Sequence, residues 1–447
     1  MKNKILVVPG NTDLNRGDQA LVWESIRVFE DVLPDLQVYL YESGANEKEK
    51  TLQKAQSLNM GYEFIPRILQ HPRVKSGNTS QEIKYSKLVY IKWGFTAVFD
   101  LFTTLMLISR FSFINSIGKA CLSKDQKKSL ELFPQLSALV VKGGGFLHSY
   151  GKMYDAYVMY YFLFDLMLAH RYKVKTIILP NSVGPLKNKL AKYLVAKVIA
   201  KSSFISVRED VSKKFLREKL GLDVKTYPDL GFFLESDGES MEAYLKSKGF
   251  DNSKKNIAIT LRPYRFDGYD NADALYASYL KQLSDFISEQ AGRGYRISLV
   301  AHTLGPSAHE DDRLALQEVL GALDASTKDS VIYLEDFGLN CKQMQKIYSY
   351  YDMLVGTRFH SVIFALNEMT PAIAIAYGGN KSYGIMKDID VPEYVLGIES
   401  VTAENLNKLV VKLENEREHY LGKISQYKVK LERERKALVA ELRSIFE

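Results

Sequence analysis

Apolar and polar positions follow two textures that take turns along the chain. Short, almost wholly apolar runs occur at 5–8, 38–41, 138–141, 176–179 and 204–207. A second series falls at 257–261, 296–301, 331–334, 353–355 and 372–376. Between them lie longer stretches with helical spacing of apolar residues, at 18–31, 156–170, 186–201 and 273–290. Buried-type strands alternating with amphipathic helices predict doubly wound parallel sheets. The first series fades after Tyr227-Pro228-Asp229, a polar stretch fills 235–255, and the second begins afresh at Asn256. The expected architecture is α/β, with two Rossmann-like domains at 1–235 and 250–400 facing a cleft. Residues 403–446 are dense in Leu, Val, Lys and Glu, with no Pro and only Gly422, so 402–447 reads as a helical extension of one or two long helices packed back on the body, with a dimerising coiled coil as the alternative that the poorly kept heptad disfavours.

Residues 88–118 break the alternation. Only Lys92, Asp100 and Arg110 interrupt an apolar, aromatic-rich segment whose longest uncharged run is too short to span a bilayer. On a helical wheel Lys92, Thr96, Asp100 and Thr103 form a narrow polar stripe. Trp93, Phe95, Phe99, Phe102, Leu105 and Met106 cover much of the rest, and basic residues flank both ends (Lys84, Lys87; Lys119, Lys124, Lys127, Lys128). Two readings follow: an interfacial helix making a peripheral contact with an anionic membrane, or a buried helix or dimer contact.

Composition narrows the class. With 447 residues, 46% hydrophobic and 25% charged, the chain is globular and long enough for two cores. The two cysteines, Cys121 and Cys341, suggest no disulfide framework and fit a reducing compartment. They form no metal-type cluster, so no metal is expected. The start, MKNKILVVPGN, does not read as a signal peptide. A cytoplasmic protein is therefore expected, which the first of the two readings of 88–118 would set on the inner face of the cell membrane. A net charge of +7 is modest, and no nucleic-acid motif accompanies it, so no nucleic-acid partner is expected. The oligomeric state stays open.

Candidate chemistry gathers at strand ends. The strand at 353–355 runs into Gly356-Thr357-Arg358-Phe359-His360 and then an apolar helix pattern; after Thr370-Pro371 comes the next strand and a turn carrying Lys381. Ligands of open α/β sheets sit at the carboxyl ends of strands, and helix N-termini there favour anions. Arg358 can grip a carboxylate or phosphate, and His360 can deliver a proton. Arg262 and His302 end two other strands of the same half, with Asp311 and Asp312 opening a helix soon after. In the first half, the loop 9–20 carries Asn11, Arg16 and Asp18, with Asp18 the expected helix N-cap. Gly143, Gly144 and Gly145 lead to His148, while Asn181 and Arg208 end later strands. Each of these has a structural alternative: a tight turn for the glycines, an ion pair to Glu209 or Asp229 for Arg208.

The segments GNTDLNRGDQAL, VVKGGGFLH, LPNSVGP, ISVREDVS, YPDLGF, ITLRP and GTRFHSVIFAL…TPAIAIAYGGNKSYG span nearly the whole chain. Together they resemble the polysaccharide pyruvyl transferase family, with the Gly-x-Arg-x-His segment the most specific. The resemblance implies a two-domain fold like that of the GT-B glycosyltransferases. It implies transfer of pyruvate from phosphoenolpyruvate, the donor substrate, to a sugar acceptor, as a ketal on two hydroxyls and without a further cofactor. The acceptor would be a bacterial surface polysaccharide or its polyprenyl-diphosphate-linked repeat unit. Arg358 and His360 would be donor-site residues, with Arg262, Arg208 and Lys381 as further anion partners. His360 would be the acid, and His302, Asp311 or Asp312 would accept a hydroxyl proton. Asn11, Arg16, Asp18, the three glycines, His148 and Asn181 would line the acceptor side. Rival readings are a nucleotide-sugar glycosyltransferase and a catalytically silent glycan-binding or scaffolding relative.

Overall fold

The computed structural model describes residues 2–10, 12–76, 86–152, 154–377 and 381–447, with Lys381 described in its backbone only. Contacts divide the chain into two units. Unit 1 comprises Met1–Asp13, Leu21–Leu230 and Glu434–Glu447, and unit 2 comprises Leu14–Ala20 and Gly231–Arg433.

Unit 1 holds β1 (Asn3–Val8), β2 (Leu36–Tyr41), β3 (Glu63–Ile65), β4 (Ala138–Val141), β5 (Gly144–Ser149), β6 (Lys175–Leu186), β7 (Phe204–Val207) and β8 (Lys225–Thr226). Their order is β3-β2-β1-β4-β6-β7-β8, with β5 paired to β6 off this path. Unit 2 holds β9 (Asn256–Thr260), β10 (Arg296–Val300), β11 (Val331–Leu334), β12 (Met353–Gly356), β13 (Ala372–Ala376) and β14 (Val395–Gly397), in the order β11-β10-β9-β12-β13-β14. Neighbours pair in parallel, for example Leu354 opposite Ala258 and Ala372. Numbered within unit 2, that order is 3-2-1-4-5-6, the doubly wound arrangement whose ligand crevice lies where the order reverses, between β9 and β12. Both faces of such a sheet are covered by helices, which is why β4, β9, β12 and β13 are buried at every position and read as unbroken apolar runs.

The structure departs from the sequence reading at the glycines after β4, along β6 and at the start of the first helix. The glycines after β4 do not form a simple turn: from Gly144 they are strand β5, which pairs with the far end of β6 through shifted register. β6 accordingly runs on to Leu186, past residues expected to be a loop. Two irregular segments satisfy each other's backbone, a pairing that no local pattern reveals. The first helix starts at Arg16, and the Asn15 side chain, not that of Asp18, accepts a first-turn amide, from Asp18 N at 3.2 Å. The C-terminal region is two helices, Ala403–Asn415 and Arg417–Phe446. In unit 2 the Tyr420 hydroxyl of the second helix donates to Ala372 O at the start of β13. In unit 1 the Phe446 ring meets Phe29 edge-on at 6.1 Å.

Unit 1 buries a charge cluster around Arg67. Arg67 reaches Asp165 at 3.0 Å, Tyr41 donates to the other carboxylate oxygen at 2.9 Å, and the guanidinium lies 4.0 Å from the Tyr161 ring centroid. Asp165 is fully buried, so removing its counter-charge strands an anion in a dry core. Arg67→Ala is expected to destabilise unit 1 by ~3–5 kcal/mol, and Arg67→Ala with Asp165→Ala by less. Urea denaturation of the two variants against wild type measures the difference.

Candidate active site

The strands of unit 2 deliver their chemistry at one edge. β10 is followed by His302 and Thr303, β12 by Arg358, Phe359 and His360, and β13 by Tyr377. With Asn15 and Ser382 these residues line a cavity of about 140 Å³. Three helices begin at its wall: Arg16–Val32 just after Asn15, Phe359–Asn367, and Lys381–Asp388. Each helix start carries roughly half a positive charge, so the cavity favours an anion before any side chain is counted, although at the first of them Arg16 N and Asp18 N are already bonded, to His302 O and Asn15 Oδ1.

Arg358 adds a fixed cation. Its Nε lies 2.7 Å from Asp312 Oδ1 and its Nη2 donates to Glu310 O at 2.8 Å. The second oxygen of Asp312 accepts from Thr303 N at 2.8 Å. Burial pushes the Asp312 carboxyl up to about 6, while the Arg358 charge and the Thr303 amide pull it down. Asp312 is thus ionised at neutral pH, with both oxygens engaged in orienting its neighbours. Asp311 caps the helix Asp312–Ala322 and makes a two-point pair with Arg313, at 2.8 and 2.6 Å, so it is not among the cavity's lining residues. The two aspartates expected as proton acceptors are therefore a clamp and a cap. Arg262 stands one layer back, its guanidinium 4.0 Å from the centroid of Tyr377, which does line the cavity.

The imidazoles differ. His302 is buried, and burial first, then the charges of His360, Arg358 and Arg16, hold its pKa well below the ordinary value. Its Nδ1 lies 3.1 Å from the Tyr348 hydroxyl. Tyr348 is fully buried, and burial keeps its phenol protonated. A buried phenol must donate its hydrogen, and Nδ1 is the acceptor in reach. Nδ1 is then bare and Nε2 carries the proton, buried at the cavity without a hydrogen-bond partner among the described residues. This geometry makes His302 a neutral donor toward a ligand oxygen rather than a base. Thr303 Oγ1 is a second buried group with no partner among the described residues.

His360 packs flat on the start of the first helix. A Cβ at Gly17 would sit 2.3 Å from His360 Nδ1 and 2.5 Å from its Cγ, so only glycine lets the imidazole take this position. A Cβ at Gly356, the first residue of the Gly-x-Arg-x-His segment, would meet Ser361 Oγ at 2.9 Å, the hydroxyl that bonds Thr260 Oγ1 at 2.7 Å and ties the end of β9 to the helix Phe359–Asn367. Asn15 bridges to Thr303 in antiparallel pairing, which brings the helix start against the strand ends.

The structure gathers His302, Arg358 and His360 in one cavity and sets Arg262 and Asp312 directly behind it. The other sequence candidates lie elsewhere. Arg16 is buried, donating from Nη2 to Asp336 O, and Asp18 lies in the first turn of its helix. In unit 1, Arg208 pairs with Asp229 at 2.6 Å and donates to Ser182 Oγ at 2.8 Å, so its charge is matched there. Asn181 donates to Lys142 O and Leu179 O at 2.8 Å and ties adjacent strand ends together. Gly143 passes 3.1 Å from Pro180 O as judged at its Cβ position; Gly144 and Gly145 open β5; and the His148 ring lies tilted against Tyr150, centroids 5.1 Å apart. Asn11 and the side chain of Lys381 lie outside the described residues. Residues not singled out from sequence complete the site: Asn15, Gly17, Thr303, Tyr348, Tyr377 and Ser382. Among the described residues no group of His, Cys, Asp and Glu is placed to hold a metal ion.

Known proteins place this geometry. Several solved structures share the fold over nearly the full chain: TcCGT1 in complex with UDP (TM-score 0.56, 11% identity, 100% of this chain and 99% of that one) and a glycosyltransferase from Rickettsia africae ESF-5 (0.55, 11%, 100% and 99%). A UDP-N-acetylglucosamine 2-epimerase is similar at TM-score 0.53, 12% identity and coverage of 95% and 91%. At such identities the likeness shows the fold alone, the two-domain GT-B type. In sequence, the chain is 25% identical over 308 residues to the amylovoran biosynthesis protein AmsJ of Erwinia amylovora, covering 62% of this chain and 72% of that protein. The family model for polysaccharide pyruvyl transferase matches residues 15–379, a span that begins at the Asn15 that bridges to Thr303 and includes every residue from His302 to Tyr377 at the cavity, and the chain belongs to that family.

Proposed function

We propose that this transferase moves pyruvate from phosphoenolpyruvate onto two hydroxyls of one sugar, in a bacterial surface polysaccharide or its lipid-linked repeat unit. One observation carries the reading: three helix starts, a clamped guanidinium and two imidazoles converge on a single small cavity. Its volume of about 140 Å³ suits a small multiply charged acid. Pockets that engulf larger organic ligands run to roughly 300–1,000 Å³.

The chemistry follows from the placement of the charged groups and the imidazoles around the cavity. The helix starts and Arg358 bind the donor's carboxylate and phosphate, with Arg262 adding positive potential from behind Tyr377. His360 gives its proton to the methylene carbon, and positive charge develops on the adjacent carbon that bears the phosphate ester oxygen. The first sugar hydroxyl bonds to that carbon and passes its proton to His360, which is neutral after its own donation. The carbon–oxygen bond to phosphate then breaks. The second hydroxyl closes the ketal, and its proton leaves with inorganic phosphate. His302 Nε2–H donates a hydrogen bond to an oxygen of the donor throughout and transfers no proton.

Incubation with phosphoenolpyruvate and a panel of lipid-linked and aryl-tagged hexosides tests the reading. A product heavier by one pyruvate less one water, formed with stoichiometric phosphate release, is expected; phosphate release that no acceptor stimulates would sink it.

His360→Ala is expected to lower kcat by ~10²–10⁴ with donor affinity little changed. Gly17→Ala displaces the same ring and is expected to lower kcat in the same direction without touching the donor. Steady-state kinetics with donor titration separates the two parameters.

The clamp predicts a pH profile. Asp312 has a carboxyl raised to about 6, so it is charged above that pH and protonates below it. Protonation removes the counter-charge that fixes Arg358. Activity is therefore expected to fall as pH drops through about 6. In Asp312→Asn the amide cannot titrate, and that acid limb should vanish at a lower plateau. A kcat/KM profile that keeps the limb in the Asn variant assigns it to another group.

A further inference from the structure

The helix Lys87–Ile108 of unit 1 is built inside out. Asp100, Thr103 and Thr104 are buried, whereas Phe95, Phe99 and Phe102 are 74%, 60% and 62% exposed. A helix that faces water has the reverse pattern. The inner face is firmly held: Lys75 pairs with Asp100, Thr104 Oγ1 lies 2.8 Å from the Tyr160 hydroxyl, and Trp93 Nε1 donates to Ser76 Oγ at 2.9 Å. The next helix, Ser112–Ala120, packs back on it, with Asn115 Nδ2 donating to Leu107 O at 2.6 Å, and leaves Phe113 77% exposed. By length and composition Lys87–Ile108 could cross a bilayer, but its polar face is bonded to the body of unit 1, so it lies along the surface.

Charge decides what covers this surface. From Ser86 to Lys124 the only acid is Asp100, which is buried against Lys75. Lys87, Lys92, Arg110, Lys119 and Lys124 are all exposed. A second copy of the chain docking through the same face would bring like charges together across a two-fold contact. An anionic lipid surface offers hydrocarbon to the phenylalanines and phosphate to the lysines. We propose that the helix pair 87–120 seats unit 1 on an anionic bilayer as a peripheral, non-spanning contact. The inference stands on unit 1 alone and does not depend on the reaction assigned above.

Flotation of the full chain with vesicles tests it. The wild type is expected to rise with vesicles of phosphatidylethanolamine and phosphatidylglycerol, less so with phosphatidylcholine alone. Salt should weaken this binding without abolishing it, because insertion is not screened. Phe95→Ser with Phe99→Ser and Phe102→Ser is expected to lower the bound-to-free ratio by ~10²-fold or more. Since these side chains are exposed, the melting temperature and turnover of a short soluble acceptor should stay at wild-type values. Lys92→Glu with Lys119→Glu, which removes no apolar group, should lower binding to the anionic vesicles only, and it carries the test should the serine variant misfold. A wild type that stays in the soluble fraction at low salt, or serine and glutamate variants that float like wild type, would overturn the proposal. So would a wild-type dimer that ignores vesicles and dissociates in the serine variant, which makes the face a self-association surface.

Discussion

The site hangs on one buried ion pair, Arg358 with Asp312. Taking both charges out of water is expensive, and the pair persists because nearly every polar atom it carries is used: both carboxylate oxygens are bonded, and the guanidinium is held at Nε and Nη2. The return is orientation. A guanidinium fixed on two sides cannot follow a ligand about; it presents one edge, in one direction, to whatever enters the cavity. The same pair folds the loop that follows β10 back on itself, since Thr303 N and Asp312 bond across it. That places Thr303 where Asn15 can bridge to it, and Asn15 brings the glycine on which His360 lies. Each later step of the assembly presupposes the earlier one.

Much of this was legible in the sequence, and the limits follow from physics. Strands buried on both faces announce themselves, so 138–141 and 372–376 match their observed bounds, and the short apolar runs 204–207 and 331–334 do so too although they are less fully covered. Strands that exist because something else pairs with them do not, and the glycine-rich Gly144–Ser149 and the far half of β6 carry no strand pattern of their own. For the site, strand-end position was the productive signal: it pointed to His302, Arg358 and His360 without knowledge of their neighbours. Strand-end position could not say which way a side chain turns. Arg208 satisfies the same rule and is matched by Asp229, and Asp312 turns back to Arg358 as its clamp. Tyr348 carried no signal at all, because a tyrosine on an apolar helix face reads as core until its hydroxyl is seen to fix a histidine tautomer.

Fold likeness alone would have pointed elsewhere. The structures that resemble this chain include enzymes of nucleotide sugars, yet they share little more than a tenth of its residues, and doubly wound sheets host many chemistries. What characterises this chain is local: a guanidinium locked to a carboxylate, a glycine small enough for a histidine to lie against it, and a small cavity where the two meet.

The division of the chain bears on how such enzymes can be recombined. Residues 14–20 belong to unit 2 although unit 1 precedes and follows them, and residues 434–447 return to unit 1 after unit 2 is complete. Neither unit is a continuous stretch of polypeptide, so a single crossover at residue 230 between two relatives would inherit the Gly17 of one parent and the His360 of the other. Hybrids made by exchanging halves must carry the short N-terminal insert and the last turns of the C-terminal helix with their proper partners. Inheritance of donor chemistry and inheritance of the sequence half that seems to contain it are, in this architecture, different things.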